Sequence, residues 1–310
     1  MLLEQICSSD PKDRFVMVID GGSAEPDEYK DNSSGRLPLD AYMRESGFDH
    51  VDCMVLTHIH EDHLCGLLPV AEHFSVGELW QSLPDDFYKM MQPEVRVPAD
   101  ANASRRKMAA ALSDYGKLCA LIEGRGGTIR QTSCGDEREI AQGCRVRVLG
   151  PDISKQKALR DRIQDLYAAY TIEKIEYADA HMNNHSIILQ IKTDTATILL
   201  PGDTNREGYG DITPADLKAD IFKTGHHGQR DALSTELVEQ IRPKLTVCCA
   251  SSDRRYNSAH PDILRMLTAA GSELAFSDCP ALPPEMEPVP PHHALVIEIN
   301  ENGIISREYR

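Results

Sequence analysis

The sequence predicts a layered α/β protein. Short apolar strands alternate with amphipathic helices along the whole 310-residue chain, and polar, chemically active clusters follow directly after three of the strands. The content of 41% hydrophobic and 26% charged residues is ordinary for a globular protein. No apolar stretch approaches the ~18–20 residues that span a bilayer. The composition therefore excludes a wholly disordered chain and a polytopic membrane protein.

Hydrophobic periodicity and chain breakers place the individual elements. Helices are predicted where apolar residues recur with helical spacing, and several end at glycines such as Gly47 and Gly124. The proline-rich residues 280–291 predict an extended loop. The predicted strands are residues 15–19, 51–57, 144–149, 186–192, 195–200, 221–223, 245–250, 273–276 and 293–299. The predicted helices are residues 39–46, 62–73, 103–123, 155–170, 234–241 and 261–270.

Charge and cysteine content restrict the partners and the location. The chain has 33 Lys and Arg against 49 Asp and Glu, a net charge of −16, which repels nucleic acids and anionic membranes at long range. This argues against a protein that coats nucleic acid and against a membrane partner, but it allows one phosphodiester to be held locally on metal ions. The nine cysteines form no CxxC pair, and no secretory signal is evident. We therefore expect free thiols and a cytoplasmic location.

The strongest local signal is a loop that holds three histidines and an aspartate directly after a buried strand. His58 and His60 are two residues apart on an extended segment, so both rings can face the same side. Asp62 and His63 lie where a helix begins, and their side chains point to the other side of the loop. One short loop can therefore supply ligands to two neighbouring metal ions. Neutral imidazoles and a carboxylate are suitable ligands for zinc, manganese or iron.

Two further strand ends carry candidate ligands. Asp203 follows an apolar strand and is placed to bridge two metal ions. His226 and His227 follow the next strand as a pair. We favour His226 as the ligand because it follows the strand first, and His227 is the alternative.

These motifs together resemble the metallo-β-lactamase-fold hydrolases, and most closely the hydrolase domain of ComEC-type DNA-uptake proteins. The match runs in order over nearly the whole chain through residues 20–21, 57–66, 184–186, 202–203, 226–228 and 260–261. The resemblance implies an αββα sandwich of two mixed β-sheets with outer helices. It also implies that residues 1–310 form a single domain, with a helical, lid-like insertion at about residues 85–183.

The chain departs from the family pattern at two places. The usual first strand and glycine-rich turn are missing, so either that strand is absent or the native start lies upstream of Met1. In the wider family, the histidine that completes the ligand set of the first metal lies in a turn just before a strand, and this sequence has no such turn. His185 is our choice for that ligand, His181 is the alternative, and a third reading is that neither residue binds metal.

Several other residues have two interpretations each. Asp20 either accepts a hydrogen bond from a ligating histidine or only forms a turn. His260 either contacts the substrate or its leaving group, or only begins a helix. Lys223 and the Arg254-Arg255 pair are either phosphate contacts or solvated surface charges.

The resemblance implies a hydrolase with two divalent metal ions, most simply zinc, or else manganese. Such ions lower the pKa of a shared water from about 15.7 towards about 7, and the resulting hydroxide attacks the substrate. Asp62 would orient that hydroxide, and His260 or His227 would assist the leaving group.

We predict a phosphodiesterase or nuclease that acts on a phosphodiester or another small anionic substrate, nucleic acid included. The alternatives are a hydrolase of lactones, thioesters or carboxylic esters, and a low-turnover metal-bearing regulatory subunit with a protein partner.

Overall fold

Two main β-sheets organise the chain, and each lies in its own unit. The computed structural model describes residues 1–6, 14–24, 26–30, 33–91, 97, 101–252, 257–303 and 305–310. The first unit comprises residues 1–28, 38–134 and 151–187, and the second comprises residues 29–37, 135–150 and 188–310.

The first unit contains a five-stranded sheet of order β1-β2-β3-β4-β5. Strand β1 is antiparallel to β2, and the remaining neighbours are parallel. Because parallel strands end at the same edge, the residues that follow β2 and β3 lie beside each other, and these are Asp20 and the histidine loop. The strands are β1 (Leu2–Ile6), β2 (Arg14–Ile19), β3 (His50–Val55), β4 (Ser75–Gln81) and β5 (Thr128–Gln131).

Among the described residues, six α-helices complete the first unit. Three of them fall in residues 85–183, and their apolar faces belong to the core of this unit through residues such as Tyr115, Ile163 and Ile175. Residues 135–150 of the same segment belong to the second unit. A role for the segment as a lid stays a prediction. The helices are α1 (Leu39–Glu45), α2 (Glu61–Leu64), α3 (Leu67–His73), α4 (Ala103–Gly124), α5 (Ile153–Ala168) and α6 (Ile172–Met182).

The second unit contains a seven-stranded mixed sheet of order β12-β11-β10-β9-β8-β7-β6. The strands β9 to β12 are parallel and β6 to β9 are antiparallel. A two-stranded hairpin, β13 with β14, lies near the end of the chain. The strands are β6 (Glu137–Ala141), β7 (Cys144–Gly150), β8 (Ile188–Lys192), β9 (Thr197–Leu200), β10 (Ile221–Lys223), β11 (Leu245–Cys248), β12 (Glu273–Phe276), β13 (Leu295–Ile299) and β14 (Ile305–Tyr309). The helices are α7 (Pro214–Leu217), α8 (Thr235–Ile241) and α9 (Pro261–Ala269).

The prediction of an α/β fold with two mixed sheets and accompanying helices is confirmed. The predicted single helix over residues 62–73 is wrong, because the chain forms α2 and α3 with a break at Gly66. The Gly66 amide donates to the Gly22 carbonyl at 2.9 Å, and a Cβ on Gly66 would lie 2.1 Å from the Gly21 carbonyl oxygen. The break therefore lets the histidine loop lie directly against the turn that follows β2.

Candidate functional site

The loop after β3 brings two histidine rings together. The Nε2 atom of His58 and the Nδ1 atom of His60 lie 3.1 Å apart. The outer nitrogens of the two rings face other polar groups: His58 Nδ1 lies 3.0 Å from Thr57 Oγ1, and His60 Nε2 lies 3.3 Å from Asp179 Oδ1, within ion-pair distance. If these outer partners accept hydrogen bonds, both inner nitrogens present lone pairs to the same point, as two ligands of one cation do.

Asp20 fixes the neighbouring part of the loop. Its Oδ1 accepts the Thr57 backbone amide at 2.8 Å, and its Oδ2 accepts the Thr57 hydroxyl at 2.8 Å. The same Oδ2 lies 2.7 Å from His63 Nδ1, so a neutral His63 carries its proton on Nδ1 and has a lone pair on Nε2. Asp20 adopts a left-handed backbone with φ of 55°, which aspartate tolerates better than most residues. Asp20 therefore orients His63, which agrees with the first of its two interpretations.

Asp62 and its neighbour Glu61 begin helix α2. The ligand atoms of Asp62 and His63 lie within 4.8 Å of one another, so the two side chains can serve one cation. Glu61 is held from two sides, because it accepts the Ser23 hydroxyl at 2.9 Å and the Lys107 ammonium at 3.0 Å. These contacts hold the start of α2 in place, and with it the backbone of Asp62, the residue predicted to orient the nucleophile.

The two candidates for the third histidine ligand lie in different environments. His185 is buried, and burial followed by the Arg162 charge lowers its pKa to about 4, so its ring is neutral at ordinary pH. The Arg162 guanidinium lies 3.1 Å from His185 Nε2, and His185 Nδ1 has no hydrogen-bond partner among the described residues. His181 is exposed, and its Nδ1 lies 2.8 Å from the Tyr177 carbonyl oxygen. His185 has the protonation state that a ligand needs, and its assignment stays a prediction.

Asp179 is a residue of this site that our sequence analysis missed. It lies on α6 and contacts His60 through Oδ1, while its Oδ2 accepts the Ser104 hydroxyl from the start of α4. Burial alone would raise the pKa of Asp179, but the hydrogen bonds with His60 and Ser104 lower it below its usual value. The sequence offers no signal for this contact, because an aspartate on a charged helix is ordinarily a solvated residue.

In the second unit, Asp203 follows β9 and is buried beside a buried lysine. The ammonium of Lys223 donates to the Gly202 and Thr224 carbonyl oxygens at 2.9 and 3.1 Å, and lies 3.5 Å from Asp203 Oδ1. Lys223 is only 8% exposed, so its interpretation as a solvated surface charge is wrong. Its hydrogen bonds instead brace the turn that carries Asp203. Arg254 and Arg255 lie outside the described residues.

The paired histidines after β10 have separate surroundings. His227 Nε2 lies 2.9 Å from Asp203 Oδ2, and His227 Nδ1 lies 2.7 Å from the Cys249 carbonyl oxygen, which requires a proton on Nδ1. His226 Nδ1 instead lies 3.0 Å from Asp231 Oδ1. Both histidines have left-handed backbones, with φ of 43° and 52°, a conformation that costs of order 1–3 kcal/mol each and often accompanies function. The structure therefore brings His227, and not His226, to Asp203.

His260 begins helix α9. Its Nδ1 accepts the Asp262 amide at 3.2 Å, so a neutral ring carries its proton on Nε2 and can donate from that atom. The backbone amides of Ala259 and His260 donate to the His227 and Gly228 carbonyls, both at 2.9 Å. His260 is thus a helix cap whose loop is bonded to the His227 loop, so capping and substrate contact are compatible roles.

The residues of both units fit divalent metal ions. In His63 and His227 the Nδ1 atom faces a carboxylate or carbonyl acceptor, which leaves the Nε2 lone pair for a metal. The acidic candidates beside them, Asp62 and Asp203, supply carboxylate oxygens, and Asp203 is buried. Nitrogen and carboxylate donors of this kind suit zinc and manganese.

Comparison with known proteins agrees with these motifs. Residues 12–111 match the sequence profile of the Metallo-beta-lactamase superfamily. ComE operon protein 3 of Bacillus subtilis (strain 168) is 24% identical over 266 residues, which cover 83% of this chain and 28% of that protein. Recombination protein 2 of Haemophilus influenzae is 24% identical over 85 residues, which cover 27% of this chain and 11% of that protein. The chain thus spans less than a third of the length of either relative.

Among solved structures, the chain is similar to Igni18, a metallo hydrolase from the archaeon Ignicoccus hospitalis. The identity is 13% and the TM-score is 0.45, with 96% of this chain and 92% of that chain covered. No described helix is both long enough and apolar enough to cross a membrane. The resemblance predicted from the motifs is confirmed: residues 12–111 match the Metallo-beta-lactamase superfamily, and over most of its length the chain is similar to ComE operon protein 3.

Proposed function

We propose that this protein is a metal-dependent phosphodiesterase. The observation that carries the proposal is the pair of inner nitrogens of His58 and His60, which lie 3.1 Å apart while the outer nitrogens face their own partners. With the outer nitrogens protonated, the two inner nitrogens carry adjacent lone pairs, which repel each other unless a cation lies between them, and this supports a metal ligand over a structural role. The phosphodiester substrate class rests on the ComEC-type motifs at residues 226–228 and 260–261.

We propose metal ligands within each unit, and they differ from the sequence-based choice at one position. They are His58, His60, Asp62, His63, Asp203 and His227, with His185 as the candidate for the remaining position. His227 replaces His226 because only His227 faces Asp203. Two divalent ions, zinc or manganese, would supply Lewis acidity and a water of lowered pKa.

The chain's own side chains perform the remaining steps. Asp62 accepts a hydrogen bond from the attacking water and aligns it with the phosphorus. His260 donates its Nε2 proton to the leaving oxygen, as its tautomer allows. Lys223 keeps the Asp203 turn in place through its two carbonyl contacts.

The charge of the chain favours a small substrate. A net charge of −16 repels a long polyanion over the distance of a Debye length, about 8–10 Å at ordinary ionic strength, but affects a single phosphodiester much less. We therefore propose a cyclic nucleotide, a lipid headgroup or the end of a nucleic acid strand as the substrate class, and a cytoplasmic site of action.

A substrate panel tests this proposal. Protein loaded with zinc or manganese is assayed on bis-p-nitrophenyl phosphate, a cyclic nucleotide, single- and double-stranded nucleic acid, and a lactone. The expected result is turnover of the small phosphodiesters, with long nucleic acid slower and strongly dependent on salt. Turnover of the lactone alone would assign the ester-hydrolase alternative, and no turnover with bound metal would favour a regulatory subunit.

A further inference from the structure

We propose that Asp179 is a positioning residue for His60, supplied by helix α6 and fixed in place by the start of α4. Asp179 would hold the proton of the His60 ring on Nε2, so that Nδ1 points with its lone pair towards His58. This inference deepens the proposed function, because it concerns how one proposed metal ligand acquires its orientation.

The two oxygens of the Asp179 carboxylate face two different partners. Its Oδ1 lies 3.3 Å from His60 Nε2, and its Oδ2 accepts the hydroxyl of Ser104. A carboxylate that accepts a hydrogen bond from Ser104 cannot rotate freely, so the oxygen facing the His60 ring stays in place. The side chain of Asp179 is 31% exposed and that of His60 20%, so this contact is partly shielded from water.

Helices α4 and α6 are themselves anchored to each other and to the histidine loop. Arg105 of α4 donates to Glu176 of α6 at 2.9 Å. Lys107 of α4 donates to Glu61 in the histidine loop at 3.0 Å, and the Cys65 thiol lies 3.6 Å from Asp114 of the same helix. The position of Asp179 relative to His60 is therefore set by several independent contacts within the first unit.

His60 differs from the other proposed histidine ligands in where its outer partner comes from. His63 uses Asp20 from the adjacent strand end, and His227 uses the carbonyl of Cys249, which directly follows the adjacent strand β11. His60 instead faces a carboxylate from helix α6, which is distant from it in the chain. The segment at residues 85–183 thus has a role in assembling the ligand set, apart from any role as a lid.

The inference is tested by comparing D179A and D179N with a matched control, E176Q. The control removes a charge from the same helix and weakens one of several contacts between α4 and α6, while Asp179 keeps both its hydrogen bond from Ser104 and its contact with His60. Two quantities are measured: the zinc affinity by competition with a chromophoric chelator, and the protonated nitrogen of His60 by ¹⁵N NMR of the metal-free protein.

We expect a loss of about 10–100-fold in zinc affinity for D179A, a smaller loss for D179N, and the wild-type affinity for E176Q. We also expect His60 to be protonated on Nε2 in the metal-free wild type and to populate the Nδ1 tautomer in D179A. Unchanged affinity and tautomer in both Asp179 variants would overturn the inference. If D179A does not fold, the larger side chain of D179N keeps the packing and decides the question.

The proposed function and the role of Asp179 can be refuted separately. A wild-type protein that takes up no divalent metal contradicts the proposed function, whereas the tautomer in metal-free protein still decides the role of Asp179. A wild type that binds zinc, with D179A unchanged, overturns only the inference about Asp179.

Discussion

Two replacements of Asp20, by alanine and by asparagine, should lower the stability of the protein and its zinc affinity to different extents. The Asp20 carboxylate accepts three hydrogen bonds, from the Thr57 amide, the Thr57 hydroxyl and His63, at 2.7–2.8 Å, and the residue is only 8% exposed. D20A leaves three donors without their acceptor. Hydrogen bonds to charged groups contribute about 1.5–3 kcal/mol each, but not additively, so we expect a loss of about 3–5 kcal/mol in the free energy of unfolding. The left-handed backbone of this position adds roughly 1 kcal/mol for alanine.

Asparagine at the same position should produce a different combination of effects. Asparagine tolerates the backbone conformation and can still accept the Thr57 amide through its oxygen, so D20N should lose only about 1–2 kcal/mol. Its amide group would then face His63 Nδ1 and donate to it, which moves the histidine proton to Nε2. Because Nε2 is the proposed ligand atom, we expect zinc affinity to fall about 10–100-fold.

Denaturant unfolding of metal-free protein and chelator competition measure the two effects independently. D40N is the matched control: Asp40 is a buried carboxylate of the same unit that pairs with Arg44 and His73 and has no described contact to the histidine loop. D40N should lose stability and keep its zinc affinity. Wild-type zinc affinity in D20N would refute the reasoning that Asp20 sets the tautomer of His63.

Three further predictions concern the second unit. H227A should lose bound metal while H226A keeps it, as measured by elemental analysis; the opposite result would restore the original choice of His226. H260A should keep its metal and lower kcat by roughly 10²–10⁴-fold on substrates with poor leaving groups, with a smaller loss on p-nitrophenyl esters; equal losses would exclude a proton-donor role. K223M should lower the Tm and the metal content together, because Asp203 loses its brace, and a variant with wild-type metal content would show that the brace is dispensable.

The sequence predicts candidate site residues better where they are close together in the chain than where folding brings them together. The loop with His58, His60 and His63 was recognised because three histidines in six residues have no ordinary structural explanation. Asp179 was missed because its contact with His60 exists only once α6 packs beside the loop. The choice between His226 and His227 depends on two left-handed backbone angles, which the order of the residues does not reveal.

The same distinction applies to the elements of the fold. Strands β10 and β12 have the predicted bounds because their short apolar runs are clearly delimited. Strand β4 was not predicted, since Gly77 interrupts its pattern. The structure explains that glycine: a Cβ there would lie 2.7 Å from the Asp52 carbonyl oxygen, so only glycine permits the close approach to β3. Strand β14 was missed because its polar sequence lacks the apolar alternation of a buried strand.

Reconstitution of activity in metal-free protein tests the central claim most directly. Metal-free wild type is titrated with zinc, and separately with manganese, while hydrolysis of bis-p-nitrophenyl phosphate is followed; D203A serves as the inactive comparison. We predict no hydrolysis without metal, a rise that saturates at two ions per chain for at least one metal, and no recovery in D203A. Hydrolysis that persists in the presence of excess chelator, or its absence at every metal ratio, would contradict the assignment as a metal-dependent phosphodiesterase.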